Sequence, residues 1–103
     1  MTAPRDYLID GHDRLFGKST NVEWKAPSSF DENVRLRAAQ TQHAAALDFR
    51  KFLKAQGVRI GEFAERRHLN AEGLRRKLRG EMWMNLRDLA MLELGRDSSE
   101  GPA

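Results

Sequence analysis

A chain of 103 residues with a hydrophobic content of 40% can build one small domain with a modest core. It contains no cysteine, which excludes a disulfide framework and a cysteine-ligated zinc site. A net charge of +3 and a pI near 9.7 favour an acidic partner, with nucleic acid first. No signal-peptide pattern and no membrane-length apolar run occur, so we expect a cytoplasmic protein.

The N-terminal segment, residues 1–28, shows no helical period and is expected to be a flexible, partly disordered arm. Two short apolar stretches flank residues 10–13, DGHD, which could close a small hairpin. Strands this short are marginal alone, so the arm would become ordered only if its large apolar side chains found a surface. Those side chains are Tyr7, Leu15, Phe16 and Trp24.

A helical domain is predicted from residue 29 to residue 95. The capping-box pattern from Ser29 to Glu32 marks the start of a helix, and no breaker follows before Gly57, which should end it in a left-handed conformation. The result is either one long helix or two helices that meet near Thr41. The core face should lie in the second half, at Leu47, Phe49, Phe52 and Leu53.

Three shorter helices should follow. The first runs from about Ile60 to Arg67, and His68 and Leu69 turn the chain into a second helix that Asn70 caps and Gly80 ends. Leu74 and Leu78 should place one side of that second helix in the core. Asn85 caps a last helix that Gly95 should end, with an apolar face of Leu86, Leu89, Ala90 and Leu94. A disordered tail is expected over residues 96–103.

Positive charge is concentrated between Arg59 and Gly80. This segment holds seven basic and three acidic residues, a balance of +4, whereas the whole chain carries only +3. Basic side chains clustered in this way favour binding to the phosphates of nucleic acid. The alternative is a solvated basic helix face.

The stretch from Ala64 to Gly80, A-ERR-H-L-N-AEG-L-RRKLR-G, resembles the Xre family, the Cro and phage-repressor type of helix-turn-helix. The family pattern places a small residue, a turn glycine, an aliphatic plug, a polar cap, an aliphatic residue four positions later and a final glycine. The resemblance covers residues 45–94, about half the chain. His68 stands where the family has the turn glycine, and Arg67 stands where an apolar residue is common.

This resemblance implies an all-α bundle of four or five helices of the lambda-repressor type, whose second motif helix enters the major groove of double-stranded DNA. It implies a sequence-specific transcriptional regulator, most simply a repressor, of bacterial or phage type. Such a protein is cytoplasmic and nucleoid-associated, or acts in the host cytoplasm if phage-encoded. The base readers would be Asn70, Ala71, Glu72, Arg75 and Arg76, and the phosphate contacts Arg59, Lys77 and Arg79.

A homodimer is expected, because one recognition helix reads only a few base pairs. Val34, Leu36 and the alanines of the long helix, or residues 82–84, could supply its contact. The second hypothesis is an antitoxin-like or accessory interaction module that grips a protein partner through residues 7–24. His12, His43 and His68 do not converge, and no catalytic constellation is evident, so no enzyme activity, cofactor or metal ion is expected.

Overall fold

The computed structural model describes residues 2–97, and within them the fold contains α-helices and no strand. The predicted all-α class is therefore confirmed. Residues 96–97 belong to the last helix, and the rest of the predicted tail, 98–103, lies outside the described residues. The α-helices are α1 (Phe30–Gln56), α2 (Ile60–Arg66), α3 (Ala71–Leu78) and α4 (Leu86–Asp97). None of these helices is both long and apolar enough to cross a membrane.

Helix α1 is a single helix of 27 residues, which decides between the two alternatives for this segment. The Ser29 hydroxyl accepts a hydrogen bond of 3.1 Å from the Glu32 backbone N–H, as the capping-box pattern predicts. Gly57 ends the helix with φ of +67°, a left-handed conformation that glycine adopts without a steric penalty.

A tight connection joins α2 to α3. The Asn70 side-chain oxygen caps α3 by accepting from the Gly73 backbone N–H at 3.1 Å. His68, in the turn, has φ of +56°, and no other non-glycine among the described residues has a positive φ. The Arg67 guanidinium lies 4.0 Å from the centre of the Phe63 ring, so this arginine contributes to the packing by a cation–π contact.

The main core forms where α2, α3 and α4 pack on the second half of α1. Leu74 and Leu78 are buried as predicted, and Ala64 is fully covered. Gln42 joins this core to the α3–α4 connection, since its side-chain nitrogen donates to the Lys77 and Met82 carbonyls at 2.8 and 2.9 Å. The core side chains are Ala46, Phe49, Leu53, Phe63, Ala64, Leu74, Leu78 and Leu92.

The predicted face of α4 is wrong. Leu86 and Leu94 are 83% and 69% exposed, whereas Leu92 is buried and Gly95 lies inside the helix rather than ending it. A Cβ atom on Gly95 would lie 2.6 Å from the Phe63 ring, so the absence of a side chain lets α4 approach α2 closely. This contact sets the rotation of α4 about its axis.

The expected flexible arm is folded against the first half of α1 over residues 2–28. Two short 3₁₀ helices, Pro4–Tyr7 and Asp13–Leu15, replace the predicted hairpin. The hairpin was wrong because residues 7–9 pair with residues 23–25, through Lys25 N–H to Tyr7 O at 2.8 Å and Ile9 N–H to Glu23 O at 3.0 Å. A local turn at residues 10–13 could not reveal a partner this far along the chain.

Aromatic side chains hold this segment in place. Phe16 is 1% exposed and makes edge-to-face contacts with the rings of His43 and Trp24, at centroid distances of 5.2 and 6.3 Å. A Cβ atom on Gly80 would lie 2.6 Å from the Phe16 ring, so Phe16 packs directly on the backbone that ends α3. The N-terminal segment therefore supports the position of α3.

Candidate nucleic-acid interface

The outer face of α3 gathers arginines around one carboxylate. Glu72 lies 3.8 Å from Arg75, 3.3 Å from Arg76 and 3.7 Å from Arg79, each measured between nitrogen and oxygen. The Arg75 and Arg76 side chains are 42% and 53% exposed, so both guanidinium groups remain accessible to solvent. Three positive charges share one negative charge, and the face carries a net positive charge.

Asn70 and Ala71 lie at the start of this face. The Asn70 side-chain oxygen is occupied by the cap of α3, which leaves its amide nitrogen as the donor available to a ligand. Ala71 is half-buried and packs against the main core, so only part of its methyl group is accessible. The predicted base readers are therefore brought together on one helix, but with unequal exposure.

Lys77 lies on the opposite flank of α3, towards α4. Its ammonium nitrogen is 2.9 Å from the Asp88 carboxylate, and the two side chains are only 25% and 19% exposed. Asp88 also accepts from the Asn85 N–H at 3.0 Å, which fixes the first turn of α4. Lys77 thus links α3 to α4 through Asp88, and its ammonium group does not lie on the face that carries the arginines.

Arg79 is held at the end of α3 by a second carboxylate. Its Nε donates to Glu81 at 2.7 Å, and Arg5 of the N-terminal segment lies 3.8 Å from the same carboxylate. The hydrogen bond from Arg79 holds the pKa of Glu81 below its usual value, and the reciprocal contact raises the pKa of Arg79. Arg79 therefore lies beside the outer face of α3, with its charge shared between Glu72 and Glu81.

A basic cavity of about 380 Å³ lies between the end of α1, the start of α2 and α3. Sequence reasoning identified Arg59 and Arg75 of this site but missed Arg50 and Lys54, which lie one helical turn apart on α1. That spacing is a signal for a shared face, but not for burial. The lining residues are Arg50, Leu53, Lys54, Val58, Arg59, Ile60, Gly61 and Arg75.

Arg50 is the unusual member of the cavity. Its Nε atom is buried without a hydrogen-bond partner among the described residues. Burial, followed by the nearby charge of Arg79, lowers the pKa of Arg50 from its usual value. Arg75 reaches the same cavity by crossing α2 at Gly61, where a Cβ atom would lie 3.2 Å from the guanidinium Nη2.

The three histidines lie in different places. His43 Nδ1 accepts from the Gly17 N–H at 2.8 Å in the buried contact with the N-terminal segment, and His12 Nδ1 accepts from the Glu23 N–H at 3.0 Å. His68 is exposed in the α2–α3 turn. Within residues 2–97, no group of three or more histidine or acidic side chains is arranged to hold a metal ion.

Comparisons of the chain with protein-family models, with curated proteins and with solved structures find no significant match.

Proposed function

We propose that the protein binds double-stranded DNA with α3 in the major groove and acts as a sequence-specific transcriptional regulator of the Xre-like helix-turn-helix type. The observation that carries this proposal is the division of α3 into two faces. Leu74 and Leu78 lie in the core, while Arg75 and Arg76 remain accessible on the other side. A short helix held rigidly from behind, with arginines in front, suits insertion into the groove.

The connection between α2 and α3 supports the helix-turn-helix assignment. The two helices have 7 and 8 residues and are joined by a turn with one left-handed residue, His68. The Leu69 N–H donates to the Ala64 carbonyl at 2.8 Å, which closes the turn against α2. The small side chain at Ala64 is fully covered, as expected where the second helix of the motif packs closest.

We assign base recognition to Arg75 and Arg76, whose forked donors match the two acceptors of guanine, and to Glu72, which can accept from cytosine N4. Asn70 and Ala71 lie at the N-terminal end of α3, which would approach the bases, and the accessible part of the Ala71 methyl group would meet a thymine methyl. Arg59 and Arg79 would contact phosphates. Lys77 is left out of this set because Asp88 already occupies its ammonium group.

The test is selection of duplexes from a random pool, followed by binding curves on the enriched sequence. Arg76→Ala should weaken binding, whereas Arg37→Ala, at an exposed position in the first half of α1, should not. No enrichment, together with equally weak binding by both variants and the wild type at low salt, would contradict the proposal.

A homodimer on two half-sites completes the proposal. Leu36 is buried in the chain's own fold and cannot contribute, but Phe30 and Val34 on α1 are 80% and 51% exposed. Met82 and Trp83 are 42% and 36% exposed on the α3–α4 connection. Exposed side chains of these types are enriched at interface cores. Sedimentation of Val34→Arg, which should shift a dimer towards monomer, tests this surface.

The interaction-module alternative finds less support. Of the apolar side chains expected to grip a protein partner, Tyr7 and Phe16 are 7% and 1% exposed because they pack on α1, and Leu15 and Trp24 are partly buried. A partner would have to displace this packing before it could bind them.

A further inference from the structure

The basic cavity beside α3 contains charge that its own chain does not neutralise. Four of its lining side chains, Arg50, Lys54, Arg59 and Arg75, are cationic, and none is acidic. Among the described residues, Arg75 pairs only with Glu72 at 3.8 Å, and no ion pair is formed by Arg50, Lys54 or Arg59. Like charges gathered in this way repel one another, and a bound anion would relieve that repulsion.

Arg50 makes this excess more costly than a solvated basic face. The residue as a whole is half-buried, but its Nε–H is buried and unpaired, and a guanidinium group cannot shed its charge under ordinary conditions. Burial of an unpaired charged donor is unfavourable unless a ligand supplies the acceptor. The positive charge of Arg79 adds to the repulsion.

The cavity walls favour a compact, multiply charged acceptor. Leu53, Val58 and Ile60 form its apolar part, and an apolar wall strengthens the attraction between an anion and the cations beside it. Guanidinium groups bind phosphate oxygens through two parallel hydrogen bonds, and a tetrahedral phosphate offers acceptors in several directions at once. A phosphate group matches several cations that approach from α1, α2 and α3.

We propose that this cavity binds a phosphate group, with Arg50 as the buried donor and Lys54, Arg59 and Arg75 around it. The phosphate could belong to the backbone of a duplex or to free phosphate, and both present the same tetrahedral oxygens. Only the first source rests on the proposed DNA-binding function. In that case Arg75 would contact both the base edge and the strand, and the end of α1 would become part of the interface.

The first experiment measures thermal unfolding in rising concentrations of inorganic phosphate, against potassium chloride at matched ionic strength. At a phosphate concentration about five times Kd, the wild type should melt about 4–8 °C higher than in chloride. Arg50→Met, which keeps a long side chain but removes the donors, should abolish the difference. Arg37→Met, on the exposed side of α1, should retain it. Lys54→Met should reduce it, and because Lys54 is exposed this variant should fold normally.

The second experiment uses a duplex in which single phosphates are replaced by uncharged methylphosphonates. If a backbone phosphate occupies the cavity, one replacement should weaken the wild type about tenfold and leave Arg50→Met unaffected. Phosphate-dependent stabilisation without any duplex binding would support the site and contradict the DNA-binding function. Equal stabilisation of the wild type and both the Arg50 and Lys54 variants would overturn the site. The site would also be overturned if phosphate did not stabilise the wild type and if the wild type and Arg50→Met responded identically to every methylphosphonate replacement.

Discussion

The two halves of α1 bury polar side chains in different ways. In the first half, His43 is covered by residues 2–28 and accepts a hydrogen bond from Gly17 at 2.8 Å. In the second half, Arg50 is half-buried and lines a cavity together with Arg75 of α3, but its Nε is buried without a partner. His43 Nε2 is also unpaired, but burial lowers the pKa of His43, which can remain neutral. Arg50 keeps its charge.

This difference separates a closed half of the molecule from an incomplete one. The first half can shed its buried charge, because His43 becomes neutral by losing one proton, and only its Nε2 stays without a partner. The second half of α1 carries Arg50, whose Nε has no partner, and it packs beside α3, where arginines surround Glu72. An anionic partner would supply the acceptors that these arginines lack. On this account the first half of α1 supports the fold, and the second half forms the binding face.

The largest effect should come from truncating the side chain that holds α3. Leu74 is 5% exposed in the main core, so Leu74→Ala should lower the free energy of unfolding by about 2–5 kcal/mol through lost burial and a cavity. DNA affinity should fall further than the folded fraction alone explains, because Leu74 holds α3 in position. Thermal melts paired with binding curves measure both.

The matched variant for that experiment lies in the other half. Phe16→Ala should destabilise by a similar amount, about 3–5 kcal/mol, because the ring is almost fully buried. Because Phe16 contacts Gly80, beyond the end of α3, whereas Leu74 lies within the helix, the protein that remains folded should keep more of its DNA affinity than Leu74→Ala does. Equal loss of affinity per folded molecule would show that the two halves are not separable.

A smaller effect, on binding alone, is expected from the arginines. Arg75→Ala should cost about 1–3 kcal/mol of DNA binding and relax the preference at one base pair, because a bidentate contact to guanine is lost. Its melting temperature should change little, since the side chain is 42% exposed. Arg76→Ala should weaken binding by a similar amount and relax the preference at a different base pair. Unchanged base preference in both variants would remove α3 as the reader.

Lys77 should show the opposite pattern. Lys77→Met leaves the partly buried Asp88 carboxylate without its partner at 2.9 Å, so stability should fall by about 1–2 kcal/mol. DNA affinity of the folded protein should stay within twofold of the wild type. A marked, sequence-independent loss of affinity would instead return Lys77 to the phosphate contacts.

The smallest expected effect is that of pH on the free energy of unfolding, through His43 in the first half of α1. Because burial lowers the pKa of His43 in the folded state, the unfolded chain binds the proton more readily. Stability should therefore be constant above the unfolded value of about 6.5 and fall at lower pH. Because only the His43 proton is involved, the free energy of unfolding cannot fall by more than about 1.4 kcal/mol at about pH 5.5.

Fluorescence of Trp24, whose ring centre lies 5.5 Å from that of His43, can follow this loss together with thermal melts. His43→Gln should flatten the pH response, and His68→Gln, in the exposed turn, should leave it unchanged. A response that survives His43→Gln would assign the titration to another group.

Sequence reasoning identified the features that depend on a few neighbouring residues. Ser29 and Gly57 bound α1, Asn70 caps α3, and Asn85 exchanges hydrogen bonds with Asp88 at the start of α4, all as local patterns predict. The alternation of buried and exposed positions on α3 is equally local, so the sequence alone predicts that Leu74 lies in the core, where the structure places it.

The remaining features depend on contacts between distant segments. The rotation of α4 follows from the approach of Gly95 to Phe63, which no period within α4 reveals. The pairing of residues 7–9 with residues 23–25 crosses a segment with its own turn signals. From the sequence alone, Arg50 is indistinguishable from an exposed helix residue, and the structure shows that its Nε is buried. Burial of a charge is decided by what packs against it, so this part of the site required the structure.

The salt dependence of duplex binding tests the central claim most directly, with the wild type and Arg50→Met compared on the same DNA site. If a dimer makes about 6–10 phosphate contacts, wild-type affinity should fall about 10³–10⁵-fold between about 50 and 200 mM salt. Arg50→Met should give a shallower dependence, because each chain loses one contact. Affinity that does not change with salt, in protein shown to be folded, would contradict the account.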